Sequence, residues 1–281
     1  MTKALFYSLL FFTFSDFKCL SGQEQSITGY DLSNPEKFNL PESLLEISGI
    51  SFYKGKADTI YAIQDEQGHV YRLAWNERKQ QHTRFAKQGD YEDITIIRDR
   101  VYVLKSNGTI FSFPFNETTG EEASNVREWK NILPKGEYEG MWGDENDGRL
   151  YVICKNCKDD NNKKKISGYV IQTGDSLFQS GEFSVNVEQI RKLNGKVKKG
   201  FRPSAIAKHP VTGDWFIVSA VNKILVVADS NWDVKEVCRL NGNDFNQPEG
   251  IAFDENRNLY ISSEGDDLSE GYILKFVPTG S

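Results

Sequence analysis

The sequence predicts an all-β ring made from five copies of one small antiparallel unit. Three observations predict it: a short phrase recurs along the chain, strand-like runs follow each copy at near-constant distance, and the last copy lacks one strand that the start of the chain can supply.

The phrase is clearest as Glu139-Gly140-Met141-Trp142 and Glu249-Gly250-Ile251-Ala252, and more worn as Ser48-Gly49-Ile50-Ser51, Glu92-Asp93-Ile94-Thr95 and Ser204-Ala205-Ile206-Ala207. Successive copies are 44, 47, 65 and 45 residues apart. A period in this range marks repeated supersecondary units. A run such as Thr59-Ile60-Tyr61-Ala62-Ile63 or Leu259-Tyr260-Ile261-Ser262 follows each copy. Tyr, Ile and Val there favour the pleated, half-buried surface of a strand. A third run comes next, as in His69 to Leu73 or Tyr272 to Lys275, and Gly or Asn at Gln67-Gly68 and Asn107-Gly108 supplies the hairpin turns between. Each unit is therefore an antiparallel meander.

About 30 residues follow Gly250, enough for three strands but not for the fourth that other units hold, such as Val234 to Leu240. Ser26 to Leu40, ahead of the first phrase, can provide it. A ring whose N-terminal strand completes the last unit is a β-propeller, which hides its edge strands by closure. Five phrases give five blades; a sixth inside the long 139 to 204 interval is the alternative.

The ordered series Ser-Gly-Ile, Glu-Asp-Ile, Glu-Gly-Met, Ser-Ala-Ile, Glu-Gly-Ile, with Gln64-Asp65-Glu66 and Ser263-Glu264 after second strands, resembles the SdiA-regulated family of bacterial envelope propellers. The resemblance covers about residues 40 to 277. It implies a propeller fold, association with the cell envelope and no established reaction. More remotely the chain is similar to gluconolactonase and phytase-like propellers, whose axis holds a divalent metal.

The 281 residues suit one domain with a substantial core. Lys and Arg total 34 against 40 Asp and Glu, a net charge of -6, which argues against nucleic acid as a partner. Residues 4 to 15 form a 12-residue apolar run behind Lys3, too short to span a bilayer and shaped like a secretory signal. The expected division is thus a signal over 1–21 and a single propeller over 22–281. Cys19 stands where a lipoprotein carries its acylated cysteine, though Asp16 and Lys18 depart from that pattern; a signal cleaved near Ser21 or Gly22 is the alternative. The protein is expected to be exported and monomeric, touching the membrane only through such an anchor.

Cys154 and Cys157 form a C-x-x-C with no second pair to complete a zinc site, so a local disulfide or two plain thiols is expected. The lysine-rich stretch from Lys155 to Lys165 reads as a solvated insertion on the rim, its charge partly cancelled by Asp159 and Asp160. Asn107-Gly108-Thr109 and Asn116-Glu117-Thr118 fit the glycosylation sequon, but such triplets are frequent by chance and uninformative given the bacterial source that the resemblance implies. Of the three histidines, His69 and His82 fall in the first unit and His209 in the fourth, without metal spacing, and no G-x-S-x-G or phosphate-binding loop is present.

Chemistry is expected on the axis. The first strand of each blade lines the channel, so Glu92, Glu139 and Glu249 should meet at one mouth, with Ser48 and Ser204 completing the ring. Crowded carboxylates repel unless protonated or neutralised. A hard cation, Ca²⁺ before Mg²⁺ or Mn²⁺, is the simplest partner. Asp65, Glu66, Lys105, Lys155 and Glu264 would form the next layer, and Lys105 or Lys155 can instead neutralise the acids. The structural alternative is that each Glu accepts backbone amides from the next blade and locks the ring. Three functions follow: an envelope binding or scaffold propeller for a small molecule or partner protein, which is favoured; a metal-dependent hydrolase of lactones or phosphoesters; and a structural ring with an inert axis.

Overall fold

The computed structural model describes residues 26–195, 197 and 200–280. Among them are five four-stranded antiparallel sheets, each a meander. Blade I runs through Ile47–Ser51, Ile60–Gln64, His69–Leu73 and Gln81–Arg84. Blade II uses Tyr91–Ile97, Arg100–Lys105, Ile110–Pro114 and Arg127–Trp129. Blade III uses Gly136–Asp144, Arg149–Cys157, Lys165–Gln172 and Phe178–Asn186, and blade IV uses Ala205–Lys208, Trp215–Ser219, Ile224–Ala228 and Val234–Arg239. Blade V takes Gln247–Phe253, Leu259–Glu264 and Tyr272–Phe276 from the C-terminal end and its outer strand, Glu36–Asn39, from the other. Tyr272 pairs with Asn39 and Lys275 with Glu36, so the chain closes its own ring.

The strand composition follows from this arrangement. Middle strands are covered by a neighbouring blade on both faces, which is why Trp215–Ser219 and Ile224–Ala228 are buried at every residue rather than at alternate ones. Outer strands such as Gln81–Arg84 face solvent and are polar. The core divides into five clusters, one per blade interface: Ile63 and Val70 meet Ile94 and Val101 between blades I and II, for example, and Tyr260 and Ile273 meet Ile50 and Ile60 between V and I.

The long interval between the third and fourth phrases holds no sixth blade. Its residues go into blade III strands of 9, 9, 8 and 9 residues and the helix Val187–Asn194, whose first turn is capped by the Asn186 side chain bonding the Glu188 amide. Cys154 and Cys157 are joined in a disulfide.

The second residue of the phrase is small because inner strands of adjacent blades nearly touch there. A Cβ on Gly250 would stand 2.6 Å from the Ser48 carbonyl, and one on Gly140 2.9 Å from the Ile206 amide. Blade II breaks the rule with Asp93, whose buried carboxyl accepts from the Ile94 amide at 2.8 Å and, across the interface, from the Met141 amide at 2.7 Å. Ser262 ties blade V to blade I by donating to the Ser48 carbonyl at 2.7 Å. Asp93 thus links two inner strands and Ser262 links a second strand to the next blade's inner strand, while of the phrase-opening glutamates Glu249 bonds Ser204 of blade IV.

Candidate functional site

The glutamates are aimed by bulges. The pairing of inner with second strand slips between Tyr91 and Asp93, between Tyr138 and Gly140, and between Pro248 and Gly250. In each case the skipped residue is the glutamate. A bulge leaves one residue unpaired and re-aims its side chain, and here it turns Glu92, Glu139 and Glu249 towards the axis. In blade IV the equivalent Ser204 sits just ahead of its strand, its hydroxyl accepting the Ala220 amide at 3.0 Å and bonding Glu249.

Lys155 reaches into this group from the second strand of blade III. Its ammonium pairs with buried Glu139 at 2.7 Å and lies within the electrostatic reach of Glu249 and Glu92 as well. Burial pulls the lysine's pKa down, but the three carboxyls outweigh it and leave it above its ordinary value. The carboxyls respond in the opposite sense to a normal ion pair. Burial first, then Glu139 and Asp90, push Glu92 up to about 9. Burial, Glu139 and Glu264 push Glu249 up to about 8. Glu139 is also raised by burial, against the pull of Lys155. One ammonium does not balance three acids drawn out of bulk water.

A second acidic tier lies beyond. Burial, then Asp65 and Glu46, raise Glu264 to about 7, and burial, then Glu46 and Glu66, raise Asp65 to about 6. Gln247 donates to Glu264, while the buried Oδ1 of Asp65 has no hydrogen-bond partner. Of the other residues named from the sequence, Ser48 is buried and engaged through its carbonyl, Glu66 is exposed, and Lys105 turns away to lie over the Tyr91 ring, 5.4 Å from its centre. Of the two lysines, Lys155 is therefore the one that pairs with a mouth carboxylate, and Lys223 also lies within the electrostatic reach of Glu249. Cys19 and the rest of the expected signal over 1–21 lie outside the described residues, among which no helix is long and apolar enough to cross a membrane.

Glu92, Glu139 and Glu249 do not bring one oxygen each within 4.8 Å of the others; among the described residues the only cluster that tight is Cys154, Cys157 and Asp160, whose sulfurs are already bonded to each other. The sequence reading also missed Glu46 and Asp90. Both stand two residues ahead of a phrase, a regularity that was available.

The arrangement defines a five-bladed propeller with a titratable acidic site on its axis. The chain belongs to the SdiA-regulated family, whose model matches residues 31–267. No curated protein matches it in sequence. Among solved structures it is similar to the PQQ-bound aldose sugar dehydrogenase of Streptomyces coelicolor, at 13% identity over 88% of this chain and 99% of that one, with a TM-score of 0.54. It is also similar to regucalcin, a calcium-binding protein of Agrobacterium tumefaciens, at 10% identity over 84% and 92% of the two chains, with a TM-score of 0.51. Likeness at these identities concerns the fold alone.

Proposed function

We propose that the protein is an exported, envelope-associated binding propeller whose acidic mouth takes up a cation. The observation that supports this is the crowding of buried carboxyls around Glu139 and its Lys155 partner, which raises Glu92, Glu249 and Glu264 to about 9, 8 and 7. At neutral pH protons balance what Lys155 does not. A hard, oxygen-preferring ion, Ca²⁺ before Mg²⁺ or Mn²⁺, fits the donor chemistry, and the unpartnered Asp65 Oδ1 is a further oxygen of the same kind. Its entry requires the glutamates to swing inward and Lys155 to leave Glu139. Export rests on the apolar run behind Lys3, and the envelope assignment on the resemblance of the phrase series to envelope propellers.

The test is metal content and melting temperature of the purified protein, with Ca²⁺, with chelator, and in a Glu92→Gln/Glu139→Gln/Glu249→Gln variant. The proposal expects a stoichiometric divalent ion or a rise in melting temperature with added Ca²⁺, both lost in the variant. A protein that holds no ion and whose melting ignores every cation contradicts it. Glu264, near neutrality, suits a general base. This favours, as a second reading, a metal-dependent hydrolase, to be sought by screening small lactones and phosphoesters once an ion is bound.

A further inference from the structure

At the other end of the axis, where the inner strands finish, lies a cavity of ≈ 580 Å³ to which all five blades contribute. This size falls within the range of roughly 300–1,000 Å³ that holds small ligands. The third residues of the phrase border it, but Ile50, Ile94, Met141, Ile206 and Ile251 are buried in the blade interfaces and lend it little surface. What faces the cavity is more polar than apolar. Each inner strand pairs with a neighbour on one side only, so amides and carbonyls along its free edge turn towards the axis.

The fourth residues of the phrase differ from blade to blade. Ser51, Thr95 and Trp142 border the cavity from blades I, II and III, whereas blades IV and V carry Ala207 and Ala252 there. Ser51 and Thr95 are 8% and 6% exposed, yet among the described residues neither hydroxyl has a hydrogen-bond partner. Neither oxygen is sealed off by protein atoms, so the open side of each is the cavity. Buried hydroxyls are ordinarily bonded. Two that open into one enclosed space offer a ligand both a donor and an acceptor.

The lip adds ring surface and charges of both signs. Trp142 and Phe253 are half-buried at its edge. Asp144 accepts the Asn146 amide at 2.9 Å and Glu145 the Arg98 amide at 2.9 Å, and among the described residues neither has a basic partner within ion-pair distance. Lys208 has no carboxylate within that distance either, its ammonium lying over the indoles of Trp142 and Trp215, 5.6 and 5.2 Å from their centres. A charged head would meet a like charge here. A hydroxyl donates to a carboxylate and accepts from an ammonium, so a neutral polyol satisfies both.

We propose that this cavity binds a neutral sugar of one or two rings, its hydroxyls bonded by Ser51 and Thr95 within and by Asp144 and Lys208 at the lip, with its C–H surface against Trp142. The inference is independent of the acidic mouth. Its specificity comes from the two inner hydroxyls, because a ligand that lacks partners for them leaves them unbonded.

The experiment is titration of the full chain with D-glucose, D-galactose and maltose, read by tryptophan fluorescence, with cyclohexanol, D-glucosamine and D-glucuronate as controls. At least one of the three sugars should give a saturable change, the same with and without chelator. Ser51→Ala/Thr95→Val, which removes both hydroxyls and little else, should weaken that sugar roughly tenfold. Its melting temperature should stay at the wild-type value, since neither hydroxyl bonds the protein. Asp144→Asn, at the lip and outside the wall, should weaken the sugar severalfold as a second check. No saturable change with any of the three, which is the result for a cavity that holds water only, overturns the proposal. So does binding of cyclohexanol or of either charged analogue as tight as that of the sugar, or indifference to both substitutions.

Discussion

Asp93 occupies a position where the other blades carry Gly49, Gly140, Ala205 and Gly250, and its carboxyl satisfies two amides that a small side chain would leave to other partners. Replacing it by alanine strips both bonds inside a buried interface, and each orphaned amide costs about 1–3 kcal/mol. Asp93→Ala is therefore expected to lose about 2 kcal/mol or more of stability in chemical denaturation, without altering the acidic mouth. The departure from the small-residue rule was visible in the sequence. Its meaning was not, because the Met141 amide it bonds belongs to the next blade. The choice between a metal and a lysine as the counter-charge to the glutamates was hidden for the same reason: Lys155 and Glu92 lie 63 positions apart, and only folding brings them together.

At the scale of the element, the strands, hairpins and closing strand were legible because each phrase is followed by its meander at a constant interval. The bulges were not. Nothing in Tyr91-Glu92-Asp93 distinguishes a slipped pairing from a regular one, yet the slip turns the glutamate to the axis instead of into a blade interface. Ile50, Ile206 and Ile251 read as core, and each is buried in one of the blade-interface clusters. The length of the third unit left a sixth blade open as the alternative to five, and the pairing of Lys165–Gln172 with Phe178–Asn186 shows longer strands instead.

For the molecule as a whole, the acidic mouth links stability to pH. Glu92 and Glu249 keep their protons in the folded ring up to about 9 and 8, whereas free glutamate releases them near 4.5. Between those limits the unfolded chain binds fewer protons than the native one, so stability falls as pH rises. The contribution is full below about pH 4.5 and is lost as the pH passes through the folded values. In chelator, the melting temperature should therefore fall between about pH 5 and pH 9, and Glu92→Gln should flatten the fall. A cation reverses the trend, since it takes over as the protons leave.

That exchange is the most direct test of the account. Calorimetric titration of the protein with Ca²⁺ at neutral pH, in two buffers of different ionisation enthalpy, counts the protons released on binding. The account predicts saturable binding with proton release, tightening as the pH is raised and abolished by Glu92→Gln/Glu249→Gln. Absence of binding, or binding that releases no protons and survives the substitutions, would show that the axial carboxyls are not a cation site.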